Sequence, residues 1–299
     1  MKKVIFIAVF FLIVFSAYSQ SSGKGQKQGA VPSPYEPEVL KAFADSLYND
    51  GFLSQAEGEY KRYLFSFPQG EDISYISNQT FQSSLLALTN IYNIQENTAG
   101  IEWLKDGFYW QSETLVKEKM NFVQAEFIFK ERNAQKFNLF SQSIVGERKD
   151  FSPALKNLVD VSELLLNNDI GGLKAFCKGV AAHNPNYEKL NELCQSYKLK
   201  SPGLALLFSA VIPGSGKWYT GSLGAFFSSF VTIGSFVAGT VVTGIQTEWK
   251  SWQPYVFGVC GAVLYISELY GAYQSAKRYN AALFRVLCEE TEKLYEKEY

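Results

Sequence analysis

The sequence predicts an all-α protein: an array of helical hairpins followed by a two-helix membrane hairpin. Three observations carry this. From Glu38 to Ser196 apolar residues recur at helical spacing, without runs of strict alternation. Residues 223–245 and 254–276 are two apolar stretches, each long enough to cross a bilayer. Tryptophans and tyrosines gather at the ends of those stretches, where a membrane protein places amphipathic rings. Composition agrees, since 47% hydrophobic residues against 19% charged ones require apolar surface to face lipid or to be very well covered.

At the N-terminus Lys2 and Lys3 precede twelve apolar residues, Val4 to Phe15, and Ala17-Tyr18-Ser19 follows. Basic residues, a short apolar run and small residues in that order are the secretory signal pattern, with cleavage expected before Gln20. A run of twelve spans about 18 Å, short of the ~30 Å hydrocarbon core, so an uncleaved anchor is disfavoured. No Cys follows the run, which argues against a lipidated N-terminus. Residues 1–19 are therefore read as a signal peptide. Residues 20–37, mostly Ser, Gly, Lys, Gln and Pro, are read as a flexible leader.

In the helical domain, residues 38–200, Ala44, Ala56, Tyr60, Tyr63 and Pro68 fall at separations of twelve, four, three and five, with Gly51 between two predicted helices. Small residues let two antiparallel helices approach, aromatics fill the next layer, and proline ends the second helix. These residues resemble the tetratricopeptide repeat over roughly 35–68. A weaker echo ends at Pro185, with Val161, Leu173, Cys177 and Val180 in the corresponding places and Leu173 where a small residue is wanted. Residues 85–107 read as a further, eroded hairpin. The resemblance implies a tetratricopeptide-like array presenting a concave surface to a protein or peptide.

The charge balance, 28 basic residues against 29 acidic, offers no basic excess for nucleic acid. One His and two Met leave almost no metal-ligand inventory, and no catalytic, cofactor or zinc pattern is found. His183 falls in a predicted turn. Cys177 and Cys194 flank that turn, seven residues before and ten after Asn184, offset by about 4.5 Å along the helix axes. A disulfide and two separately buried thiols are both open readings.

Ser201 can cap a helix with Pro202 at its first position. The apolar half-helix 203–212 is too short to span and stops at Pro213-Gly214. The following Gly-Ser-Gly-Lys is no phosphate loop: Val211 stands where the first Gly belongs and Trp218 where Ser or Thr belongs. Small residues recur along both spans and suit close packing within the hairpin, or between copies in a homo-oligomer. Glu268 is the one acid inside the spans, about 13 Å of helix before Lys277. It is expected to face protein or the interface, with Lys217 and Arg278 at the same membrane face.

Taken together, Ser201, Pro202, Pro213, Gly214, Gly216, Tyr219 and Gly221, closed by Ala272, Ala276, Tyr279 and Asn280, resemble a bacterial Pro-Gly-x-Gly-x-x-Tyr-x-Gly membrane module. Lys217 stands where that family more often has Gln. The resemblance covers roughly 201–280 and implies a bacterial envelope protein that joins such a module to a tetratricopeptide-like domain. It implies no chemistry. Residues 281–299 are expected as an amphipathic helical tail.

These readings place the chain in the inner membrane, with the helical domain on the periplasmic side and an envelope protein or peptide as partner. One conflict remains. Lys198, Lys200, Lys217, Lys277, Arg278 and Arg285 flank the side that the signal would export, whereas the connector holds only Lys250. The expected function is a non-enzymatic scaffold or adaptor, with a membrane-protein biogenesis or transport component as the alternative.

Overall fold

The structure, a computed structural model, describes residues 33, 35–67 and 79–299. The signal peptide, nearly all of the leader, and Pro68 lie outside the described residues. Among the described residues every regular element is helical and no strand occurs. The chain packs as two units, 1–71 and 72–299.

The described part of the first unit is one antiparallel hairpin, α1 (Pro37–Asn49) and α2 (Leu53–Phe65). Pro37 begins α1 because its missing N–H has no partner to lose in a first turn. Ala44 and Ala56 are fully buried, and Gly51 takes the positive φ, +80°, that reverses the chain. Tyr60 is buried with its hydroxyl donating to Asp45 Oδ1 at 2.7 Å, a partner that spacing alone did not identify. Burial and the neighbouring Asp45 carboxylate both raise its phenol above the ordinary value. Overpacking at Ala56 is expected to destabilise this hairpin: Ala56→Leu should cost about 1–3 kcal/mol, read as a lowered thermal midpoint of the full chain.

The second unit continues in helical pairs: α3 (Gln79–Ile94) with α4 (Thr98–Phe108), α5 (Thr114–Lys130) with α6 (Ala134–Ser143), and α7 (Pro153–Leu166) with α8 (Ile170–Ala181), followed by α9 (Glu188–Ser196). Local sequence starts several of them. Asn97, Asn133, Ser152 and Asp169 each accept a backbone N–H from the first turn of the helix that follows. Neighbouring pairs pack in chain order, α3 and α4 on α5, α5 and α6 on α7, α7 on α8, and α8 on α9. Leu173 is fully buried between its neighbours.

His183 lies exposed after α8, with Nδ1 3.2 Å from the Gly179 carbonyl. Cys177 and Cys194 are free, buried thiols whose sulfurs stand 3.8 Å apart. The disulfide, one of the two open readings, is not formed in this structure. The thiols still meet, because the 3-10 turn Pro185–Tyr187 uses up three residues of the longer arm. A hydrogen bond from Cys194 and burial together raise the Cys177 thiol well above its ordinary value.

A polar network crosses the interior between α4 and α5. Lys105 Nζ donates to Asn121 Oδ1 at 2.7 Å and to Gln124 Oε1 at 2.5 Å. The Asn121 amide donates to the Tyr109 hydroxyl, which donates to Glu147 Oε2, each at 2.6 Å. Burial pulls the Lys105 ammonium down to about 8, outweighing the pull of Glu147 and Asp106 in the other direction. Between about 8 and the ordinary 10.5 the unfolded chain therefore binds a proton that the folded chain has released. Stability should rise with pH across that window. Thermal midpoints measured from pH 7 to 10.5 should show this rise in the wild type and a smaller one in Lys105→Met. Parallel profiles would refute it.

The C-terminal part holds α10 (Pro202–Val211), the short α11 (Ser215–Tyr219), α12 (Leu223–Gln246) and α13 (Gln253–Glu298). Helices α12 and α13 are long and apolar enough to cross a membrane, with mean hydropathy 1.8 and 1.3 over their most apolar windows. Only 6% and 17% of those windows are covered by protein, unlike the core helix of a globular domain. The two pack against each other, and α10 lies against α13.

The second apolar stretch and the expected helical tail belong to one helix: α13 runs unbroken for 46 residues, past Ala276 and on to Glu298. Lys277-Arg278 ends the apolar character, but no Pro or Gly follows Gly271 to end the helix. At 1.5 Å per residue α13 is about 69 Å long, more than twice a hydrocarbon core. Its last turns enter the helical domain, where Leu287, Cys288, Leu294 and Tyr295 are buried in one cluster with Phe122, Phe129, Val161 and Tyr187. Tyr295 shares a 2.9 Å hydrogen bond with Ser162, and its ring meets Phe122 edge-on at 5.5 Å. Arg132 pairs with Glu292 at 2.6 Å, and Asn184 and Asn186 both donate to Glu298 Oε1. The helical core is therefore not closed at residue 200.

Candidate functional site

The eleven module residues come together from three segments of the chain. Ser201 Oγ accepts the Leu204 N–H at the start of α10, with Pro202 at the first helical position. Asn280, on α13, grips the segment leading into α10 with both ends of its amide. Its oxygen accepts the Lys200 N–H and its nitrogen donates to the Lys200 carbonyl, each at 2.9 Å. The Tyr219 hydroxyl accepts the Ser201 N–H at 3.2 Å, while Lys200 Nζ donates to the Tyr219 carbonyl at 2.6 Å and lies over the Tyr219 and Tyr279 rings. The entry to α10, the end of α11 and the middle of α13 are thereby tied into one joint.

The motif glycines do different work. Gly214 and Gly221 take φ of +90° and +92°, which L side chains rarely adopt, so they turn the chain into and out of α11. Gly216 is helical but has no room: a Cβ there would sit 2.0 Å from the Ala205 carbonyl oxygen and 2.8 Å from the Ala272 methyl. Its N–H donates to the buried Ser209 hydroxyl at 3.0 Å. Ala272 and Ala276 are fully buried, which lets α13 come this close.

Beneath this joint lies a charged cluster. Glu268, 5% exposed, faces protein rather than the outer surface of α13. Its Oε2 accepts from Lys217 Nζ and, at 2.7 Å, from the Ser229 hydroxyl of α12. Lys217 Nζ also reaches Ser229 Oγ at 2.8 Å, so acid, base and hydroxyl form a closed triangle across α11, α12 and α13. The stem of Lys217 crosses Gly271, within 3.5 Å of where a Cβ would stand. Glu268 Oε1 is buried and has no hydrogen-bond partner among the described residues. Lys217 is thus the counter-ion of the acid on α13.

Ser229, Ser209 and Tyr265, whose hydroxyl donates to the Ala210 carbonyl at 2.7 Å, were not singled out by the sequence. The Ser228-Ser229 pair inside an apolar run was the available signal for the first. Among the small residues along the apolar helices, Gly239 and Gly258 pack across the α12–α13 seam against Phe257 and Thr240. Ser235, Ala262 and Ser267 are exposed.

Fold and site together define a class: a helical-pair domain joined by one shared helix to a module of two helices able to cross a membrane. In comparisons with known proteins, no family model, no curated protein and no solved structure matches the chain.

Proposed function

We propose that this chain is a membrane-anchored scaffold of the bacterial cell envelope, whose tetratricopeptide-like helical domain binds a protein or peptide partner at the bilayer surface. The observation that carries this reading is the shared helix α13. Its first half packs on α12 as one of two apolar helices, and its last turns supply Leu287, Leu294 and Tyr295 to the helical core. A flexible tether would only concentrate a binding domain near a membrane, whereas a continuous helix fixes its height and orientation. That suits a protein that presents a partner, or is presented to one. The bond from Asn280 to Lys200 brings both ends of the module to one face, so the helical domain adjoins the joint on that side.

The signal pattern assigns this side to the periplasm, with α12 and α13 in the inner membrane. The excess of Lys and Arg on the same side opposes that assignment. The signal prevails here because a domain already committed to export translocates largely regardless of flanking charge. Protease added to spheroplasts should digest the helical domain, and digestion only in inverted vesicles would reverse the topology.

Crosslinking pulldown from native membranes tests the scaffold, using the full chain because residues 20–199 lack the α13 contribution to their core. A single envelope protein should be recovered with the wild type and lost when exposed residues of the helical pairs are changed. Recovery that follows the hairpin alone would overturn the reading. A second reading, a transport or biogenesis component, is favoured by the triangle of Glu268, Lys217 and Ser229 with an unpartnered carboxylate oxygen. Glu268→Gln separates the two: a scaffold keeps its partner, and a conduction role loses flux in proteoliposomes.

A further inference from the structure

We infer that the module carries a subsite for the phosphate of an anionic phospholipid headgroup, formed beside the joint by Lys217, Arg278, Ser222, Gln274, Ser275 and Tyr270. This rests on the membrane-inserted reading above. These side chains line a recess of ≈ 390 Å³ between the start of α12 and the middle of α13, floored by Ala225 and Gly271. Its level is set by sequence: Ser222 immediately precedes the apolar helix α12, Tyr270 lines the recess, and Trp218, Tyr219 and Tyr273 lie within a few residues of its lining in the chain, which puts it at headgroup height.

Its charge is unbalanced. Within residues 199–286 the cations at this end are Lys200, Lys217, Lys277, Arg278 and Arg285, and Glu268 is the sole acid there. Glu268 gives one oxygen to Lys217 and Ser229, and it does not line the recess. Lys277 lies over the Tyr273 ring, Lys200 over two rings and a carbonyl, and Lys217 pairs with Glu268; of the two arginines with no acceptor among the described residues, Arg278 and Arg285, Arg278 lines the recess. A guanidinium is the cation whose planar fork best matches a phosphodiester. Hydroxyls of Ser222, Ser275 and Tyr270 and the amide of Gln274 supply neutral hydrogen-bonding groups around it, although Gln274 already donates to Tyr270 and Ser275 shares a bond with Thr220. A lipid phosphate satisfies this set without entering the apolar layer, with its acyl chains lying along the exposed apolar flank of α12.

The test uses the full chain in nanodiscs of phosphatidylcholine with and without phosphatidylglycerol, read by native mass spectrometry of lipid retained after release. Wild type should retain phosphatidylglycerol over phosphatidylcholine, and Arg278→Gln should lower that preference about fivefold. Lys277→Gln removes an equal charge that does not line the recess and should leave the preference intact. Inorganic phosphate added in solution should not displace the lipid. Equal retention of both lipids, an equal loss in Lys277→Gln, or displacement by free phosphate would each overturn the subsite while leaving the anchor reading intact. A chain that fails to enter nanodiscs removes both.

Discussion

Replacing Lys217 by Met should destabilise the apolar module by about 3–5 kcal/mol, and replacing Glu268 by Met in the same chain should return most of that loss. The physical reason is the asymmetry of buried ion pairs. Together, the two charges and the Ser229 hydroxyl satisfy one another at the meeting of α11, α12 and α13. Alone, the carboxylate is left among apolar helices with Oε1 already unpartnered. Burial also ranks the single variants. Glu268 is 5% exposed at its side chain and Lys217 is 21% exposed, so a lysine that loses its acid has a path outward along its own stem. Glu268→Gln, which keeps the shape, should therefore cost less than Lys217→Met. A double-mutant cycle on the full chain in bicelles, followed by reversible unfolding, measures the coupling. Additive single losses, or a Lys217→Met chain as stable as wild type, would show that the pair is ornamental to folding.

Tyr295→Ala should be the most damaging single change to the helical domain, although Tyr295 lies 133 positions from its partner Ser162. The ring is fully buried against Phe122 and Phe129, and truncating so large an aromatic typically costs about 3–5 kcal/mol through lost transfer energy and an unfilled cavity. Tyr295→Phe removes only the shared hydrogen bond and should cost about 1 kcal/mol. Ending the chain after Phe284 removes Leu287, Cys288, Leu294 and Tyr295 together and should leave the helical domain unable to close its core. Far-UV circular dichroism melts with limited proteolysis distinguish loss of the domain from loss of the hairpin, which retains its own packing. If the truncated chain melts like the full one, α13 merely leans on the domain and the rigid-scaffold proposal loses its support.

Much of this molecule was legible from local pattern. Ser201-Pro202 announced the start of α10, and the helix begins there because a capping hydroxyl and a proline satisfy a first turn without help from elsewhere. The two apolar stretches announced α12 and the first half of α13 because hydropathy is a sum over neighbours in sequence. Gly51 was visible as a turn because only its own backbone angle is at stake. The same locality explains why the continuity of α13 was not legible. Lys277-Arg278 marks a change of solvent, and a change of solvent does not stop a helix whose hydrogen bonds are internal.

The sequence by itself determined an all-α chain, a helical domain of paired helices, two helices long and apolar enough to cross a membrane, and an acid inside one of them that required shelter. Only the tertiary structure decided who shelters it and what joins the parts. Lys217 meets Glu268 across 51 positions, Asn280 grips Lys200 across 80, and α13 returns to complete a core begun at Phe122. Helical periods and hydropathy are properties of adjacent residues and survive in one dimension. Ion pairing, close approach at Gly216 and shared cores depend on which helix faces which, and that is settled only when the whole chain minimises its exposed apolar surface and unpaired polar groups at once.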